Sequence, residues 1–208
     1  MTDAIKKTAG GDASLDFEAG TYIFVRNTIS SSYGRLSLTL TANDGVISIS
    51  NDIILNGGDL SMNSPGSIAS SGIISTNGTG YISIIVNNGD INLSGPISVQ
   101  DGDIQITNQA MSKSLNIWGG ITAVGIGNVS LENDEGTVNV NGAIRLSGGN
   151  LSIYTGDNTN VNAAIYTAGS GYVSLITDHG NCSPTPGLNR PEIPRHGQSA
   201  SLPDLLVA

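Results

Sequence analysis

The chain has 208 residues, of which only 12 % are charged and 4 % aromatic, and it carries a formal net charge of −9 with a sequence pI near 4.3. A surface that acidic repels nucleic-acid phosphates and anionic lipid, and the few basic residues of the central region (Arg26, Arg35, Lys113, Arg145) are scattered, so no nucleic-acid partner is expected. No run of 18 apolar residues occurs, which argues against membrane insertion, and low charge combined with regularly spaced Ile, Leu and Val argues against disorder.

In chain order, residues 1–13, including Ala4–Lys7, read as an N-terminal cap or arm over the first repeat, and this chain shows no signal peptide, because Met1–Lys7 lacks an apolar core. From Ser14 a five-residue unit of the form x-apolar-x-apolar-x recurs eight times. Its copies are Ser14–Glu18, Arg35–Thr39, Asp59–Asn63, Tyr81–Ile85, Asp103–Thr107, Asn128–Glu132, Asn150–Tyr154 and Tyr172–Ile176. Their starts lie 21, 24, 22, 22, 25, 22 and 22 residues apart, the period of a solenoid whose repeats bury a face only by stacking on neighbours.

The stretch Gly80–Gly102 holds three short alternating segments, Tyr81–Val86, Asp90–Ser94 and Pro96–Gln100, with Ile82, Ile84, Ile91, Leu93, Ile97 and Val99 on one face. Between them lie Asn87-Asn88-Gly89, Ser94-Gly95-Pro96 and Asp101-Gly102, residues suited to positive φ and sharp reversals. The same grammar recurs in middle segments (Gly45–Ile49, Ser114–Ile117, Gly136–Val140, Asn160–Ala163) and third segments (Ile53–Leu55, Ile73–Ser75, Ile121–Ala123, Ile144–Leu146). Equivalent segments return after a full circuit and must pair in parallel. The expected fold is all-β: a right-handed parallel β-helix, or β-solenoid, with three short strands per coil of about 22 residues and about eight coils over residues 14–180. The longer intervals predict inserted loops around Ser64-Pro65-Gly66 and Ala110–Lys113, places where a solenoid carries binding groups. Beyond Asn181 the pattern stops; residues 181–208, with Pro184, Pro186, Pro191, Pro194 and Pro203, read as a Pro-rich C-terminal tail whose Leu202–Ala208 end is apolar enough to dock.

Candidate chemistry is sparse. His179 and His196 are the only histidines and Cys182 the only thiol, so a metal site or triad would need the tail to fold back. Asp101-Gly102-Asp103 and Asn88-Gly89-Asp90 have the composition of calcium-binding turns, and of ordinary ones. Asp134-Glu135 reads as a solvated turn, and Asp59 and Asp103 are separated on their face by Tyr81. Trp118 either stacks on a sugar ring or covers the loop near Met111, the second being expected. No catalytic, metal or binding residue is assigned, no cofactor is expected, and the chain reads as not an enzyme.

The segments Asn88–Gly95, Asp101–Thr107 and Gly148–Tyr154 resemble the repeats of filamentous-haemagglutinin-type exoproteins and related autotransporter passengers, over roughly Ser14 to Asp178. That resemblance implies an extracellular or cell-surface bacterial adhesin with a β-helical shaft. The family's Asn-Pro-Asn secretion motifs are absent, since the sequence has no Asn-Pro dipeptide. The functional expectation is a non-enzymatic structural or adhesive element that binds a host glycan or matrix ligand and self-assembles end to end as a homo-oligomer or filament. The alternative is a polysaccharide-acting β-helix enzyme, a lyase or hydrolase.

Overall fold

A computed structural model describes residues 3–184 and 200–202, and within them there are 25 strands and no helix. The chain winds through three sheets in a fixed order: Ile5–Lys7 opens sheet A, Ala13–Ala19 opens sheet B and Tyr22–Val25 opens sheet C, after which the circuit repeats. Sheets A and C each hold eight strands and sheet B nine, and every pairing but the last is parallel. The protein is therefore a three-sided parallel β-helix. At about 4.8 Å per coil, its eight circuits form a rod about 40 Å long.

Parallel register places each side chain on its equivalent one circuit earlier, and this builds the core from columns. In sheet A one inward column is isoleucine throughout: Ile5, Ile29, Ile53, Ile74, Ile97, Ile121, Ile144 and Ile165. From Ile29 onward these side chains are buried, whereas Ile5, on the first coil, is only partly so. Sheet B contributes Leu15, Leu38, Leu60, Ile82, Ile104, Val129, Leu151 and Val173 in the same way. Stacked β-branched and γ-branched aliphatics bury one another along such a column.

Backbone polarity alternates with the same regularity. Inward residues direct N–H to the following coil, as Ile47 to Ser67 O (3.1 Å), Leu60 to Tyr81 O (2.9 Å) and Ile74 to Pro96 O (3.0 Å). Outward residues direct theirs to the preceding coil, as Val46 to Thr21 O and Ser50 to Val25 O, both 2.9 Å. Each coil thus presents inward-residue donors and acceptors on one edge and outward-residue ones on the other.

The corners are rich in glycine for two reasons: the expected positive φ holds at Gly34, Gly57, Gly78 and Gly169, and close approach between coils acts at a second set. None of Gly89, Gly95 and Gly102 has positive φ. What each lacks is room: a Cβ on Gly102 would overlap the carbonyl oxygen of Gly80, one on Gly127 that of Gly102, and one on Gly149 that of Gly127. Coils approach so closely at the turn that backbone lies on backbone.

The structure shifts some of the expected boundaries. Leu38, not Leu36, pairs with Leu60, and Leu15 pairs with Leu38. The second repeat copy is therefore Ser37–Thr41, two residues later than the pattern match at Arg35, and the apparent insertion at Ser64-Pro65-Gly66 disappears. Ser64 is instead a buried strand end whose hydroxyl donates to Gly45 O at 2.5 Å. The insertion in the other long interval stands, because Ile104 pairs with Val129, 25 residues on, and the extra residues widen the turn after Asn108, where Ser112 adopts φ 52°. In the third segment Ile74 points inward and Ile73 is exposed; in the last middle segment the strand is Thr159–Val161 and stops short of Ala163.

Of the segments set apart at the two ends, Ile5–Lys7 pairs in parallel with Ile29–Ser31, and Cys182–Pro184 pairs in parallel with Thr159–Val161, so both continue the sheets. Ala200–Leu202 pairs antiparallel with Val173–Leu175 and lies across the last strand of sheet B. The residues from 185 to 199 and from 203 to 208, including His196 and most of the apolar Leu202–Ala208 end, lie outside the described residues.

The corner packing yields a paired expectation. Gly102→Ala forces backbone apart and should destabilise the protein by about 1–3 kcal/mol. Gly20, with nothing within 4 Å of a built Cβ and no positive φ, should accept Ala with no loss or a gain of up to about 1 kcal/mol. Urea denaturation of the two variants beside the parent checks the difference; equal effects would refute close approach as the reason for the corner glycines.

Candidate binding surface

The outward faces are built of polar side chains that bond along the rod axis. On sheet C, Asn116 Nδ2 donates to Asn92 Oδ1 (2.9 Å), Asn139 to Asn116 (2.8 Å) and Asn160 to Asn139 (2.8 Å), a ladder of four amides joined by three bonds that all run towards the preceding coil. At the corner before sheet B, Asp and Asn carboxyl and amide oxygens accept the backbone N–H one coil later: Asp12 from Arg35, Asp59 from Tyr81, Asp103 from Asn128, Asn128 from Asn150 and Asn150 from Tyr172, at 2.7–3.1 Å. Inside the next corner, Asn108 Nδ2 donates to Gly89 O and Ser114 O, and Asn133 Nδ2 to Lys113 O and Thr137 O. These bonds satisfy turn carbonyls that the sheets leave unpaired.

This framework accounts for the residues singled out by sequence. Asp103 accepts from both the backbone N–H and the side-chain amide of Asn128, and Asp90 accepts Ser114 N–H at 2.8 Å, so the last acid of each motif pins the turn of the next coil. Asp59, Tyr81 and Asp103 do stack in one column, with Tyr81 between the acids. His179 sits in the last turn, where its backbone N–H reaches Gly156 O at 3.1 Å. Among the described residues, no group of three or more His, Cys, Asp or Glu is arranged to hold a metal. Burial raises the pKa of the Cys182 thiol above its ordinary value. Trp118 is corrected: it lies at the far end of Ser114–Ile117 from Met111, is 57 % exposed, and leaves Met111 72 % exposed, so it does not cover that loop.

One cluster was missed. Thr107, Glu132 and Tyr154 follow one another in an outward column of sheet B, and Asp134 and Asp178 flank them at the strand ends. The Glu132 carboxyl is held above its ordinary range, first by burial, then by the charge of Asp134 and by a hydrogen bond with it. Tyr154 Oη donates to Asp178 Oδ2 at 2.5 Å, and that bond, ahead of burial and neighbouring carboxylates, raises the phenol pKa. Both groups occupy the fifth position of their repeat copies, so the stacking of Glu132 under Tyr154 was present in the spacing. The pairing with residues just beyond each unit was not.

Exposed apolar groups sit in separate places. Tyr22 and Phe24 stack at 5.9 Å on the first strand of sheet C, with Arg26 over Phe24 at 5.3 Å. Arg145 lies 4.1 Å over the Tyr166 ring on sheet A, and Val124 and Ile126 project from the corner between sheets A and B. An open depression lined by Asp12, Ser14, Arg35, Ser37 and Asp59 lies at the corner that leads into sheet B. Its guanidinium is already engaged, Nε with Gly57 O (2.9 Å) and Nη2 with Thr79 Oγ1 (3.1 Å). Comparison with protein-family models, with curated proteins and with solved structures finds no match in any of the three.

The Glu132 environment fixes the sign of a pH effect. The folded state holds this proton more tightly than the unfolded chain does, so its contribution to stability falls as pH rises from the ordinary glutamate range through the folded-state pKa. Glu132→Gln removes the ionisation and keeps a donor for Asp134. It should raise the melting temperature at neutral pH, with the gain vanishing at pH values below the ordinary glutamate range. Thermal melts across that range check it, and a gain that persists in acid would show that the cause is not ionisation.

Proposed function

We propose that this chain is a non-enzymatic shaft, a structural or adhesive β-solenoid of a bacterial surface or secreted protein of the filamentous-haemagglutinin or autotransporter type. The observation that carries the reading is the use made of the polar side chains. Acids and amides at successive corners accept the backbone N–H of the next coil, and the sheet C asparagines bond to one another, so the groups a β-helix enzyme would turn on a substrate here hold coil to coil. An acidic, low-charge exterior with isolated aromatic groups suits a rod that carries or displays, with contact through Trp118, Tyr22 and Phe24 or the Met111 loop. Flat aromatic faces of this kind bind sugar rings by stacking.

The polysaccharide-acting alternative rests on the Glu132–Asp134 pair and Tyr154. A panel of glycans and matrix proteins immobilised as an array, probed with the parent and with Trp118→Ala and Tyr22→Ala variants, tests the adhesive reading. Binding of at least one class is expected, lowered severalfold by one aromatic substitution. The same glycans incubated with the protein should yield no new reducing or unsaturated ends; products that vanish in Asp134→Asn would establish the enzyme instead.

A further inference from the structure

The two ends of the rod are complementary in a way that the single strand Ala200–Leu202 interrupts. The parallel circuit ends in the order sheet A (Ile165–Thr167), sheet B (Val173–Thr177), sheet C (Cys182–Pro184), and at the other end it begins in the order sheet A (Ile5–Lys7), sheet B (Ala13–Ala19), sheet C (Tyr22–Val25). A second copy placed head to tail therefore continues A, B, C without a gap or a doubled face. Its columns also continue in kind: Ile165 would meet Ile5, Val173 would meet Leu15, and Leu175 would meet Phe17. Ile5, Leu15 and Phe17 are only partly buried, unlike their equivalents in the next coil, Ile29, Leu38 and Leu40, at 0–1 % exposure.

By the alternation seen throughout the rod, Val173 and Leu175 direct their N–H and C=O away from the preceding coil, as Leu151 does to Tyr172 O at 2.9 Å. Those are the groups a following coil would use. Ala200–Leu202 occupies them, with Val173 opposite Leu202 and Leu175 opposite Ala200, and it runs antiparallel, the direction a following coil cannot take. Pro184, the register partner of Val161 in the last sheet C strand, has no N–H and so removes one further donor from the same edge. At the opposite end, the outward residues Ser14, Asp16 and Glu18 direct their N–H groups away from the strand Leu36–Ala42, with no strand beyond them among the described residues.

We propose that Ala200–Leu202 is a lock on the C-terminal edge, and that the occupant it excludes is the first coil of a second copy of this chain. With the strand in place the protein is a single rod; with it displaced, copies stack head to tail through sheets A and B. The proposal rests on the shaft reading above and adds the control of its length.

The test uses the full chain. Ala200→Pro with Leu202→Pro removes both ladder donors of the lock, and sedimentation and electron microscopy follow the mass and shape of the particles. The parent should stay monomeric as concentration rises. The double variant should at least double in mass and form rods that lengthen in steps of about 40 Å, eight coils at about 4.8 Å each. Adding Asp16→Pro, which removes an N–H that has no strand beyond it among the described residues but is needed at the joint, should return it to a single rod. A monomeric double variant with unchanged β-sheet circular dichroism overturns the proposal, as do polymers indifferent to Asp16→Pro or a parent that polymerises equally. Should the double variant lose its β signal, amide exchange in the parent decides: protection at Val173 and Leu175 upholds the lock, and fast exchange at both overturns it. Ligand binding lost in Trp118→Ala reports the shaft reading separately, because Trp118 follows Ser114–Ile117 in the middle of the rod, away from the lock and from the first coil that carries Tyr22 and Phe24.

Discussion

Everything in this protein follows from one constraint, that parallel pairing at a fixed period puts every side chain directly on its own equivalent a circuit away. The eight-isoleucine column in sheet A is the plainest result, and the sheet B column from Leu15 to Val173 varies only among apolar residues. The constraint reaches the polar residues too. An asparagine on an outward strand position finds another asparagine at hydrogen-bond distance, and an aspartate before a strand finds the next coil's backbone N–H. Because the groups that stabilise the stack are the same groups that face solvent, surface and scaffold are not separable here.

Much of the architecture was legible in the amino-acid order because period-two alternation inside a period of about 22 admits few other solutions. Legibility failed where two frames satisfy the same alternation. In Leu36-Ser37-Leu38-Thr39-Leu40 the apolar residues fit equally well when read from Leu36 or from Leu38, and only pairing with Leu60 decides. The choice of Ile73 over Ile74 is the same failure at a doubled isoleucine. Positive φ accounts for corner glycines such as Gly57 and Gly78 but not for Gly102: sequence shows that Gly102 lies in a turn, but the overlap with Gly80 that excludes a Cβ belongs to the distance between coils, which no single coil contains.

The candidate surface was harder to see for a related cause. Glu132 and Tyr154 share a repeat position and could be placed together, whereas Asp134 and Asp178 belong to turns whose geometry depends on how each strand ends. The turn acids that look catalytic in isolation are acceptors for backbone donors one circuit away, a role that exists only once the coils are stacked. Sequence therefore shows which residues are available and stacking shows which are occupied.

The asparagine ladder on sheet C has a direction. Every bond in it runs the same way along the axis, from Asn160 through Asn139 and Asn116 to Asn92, so the four side-chain dipoles add and polarise one another.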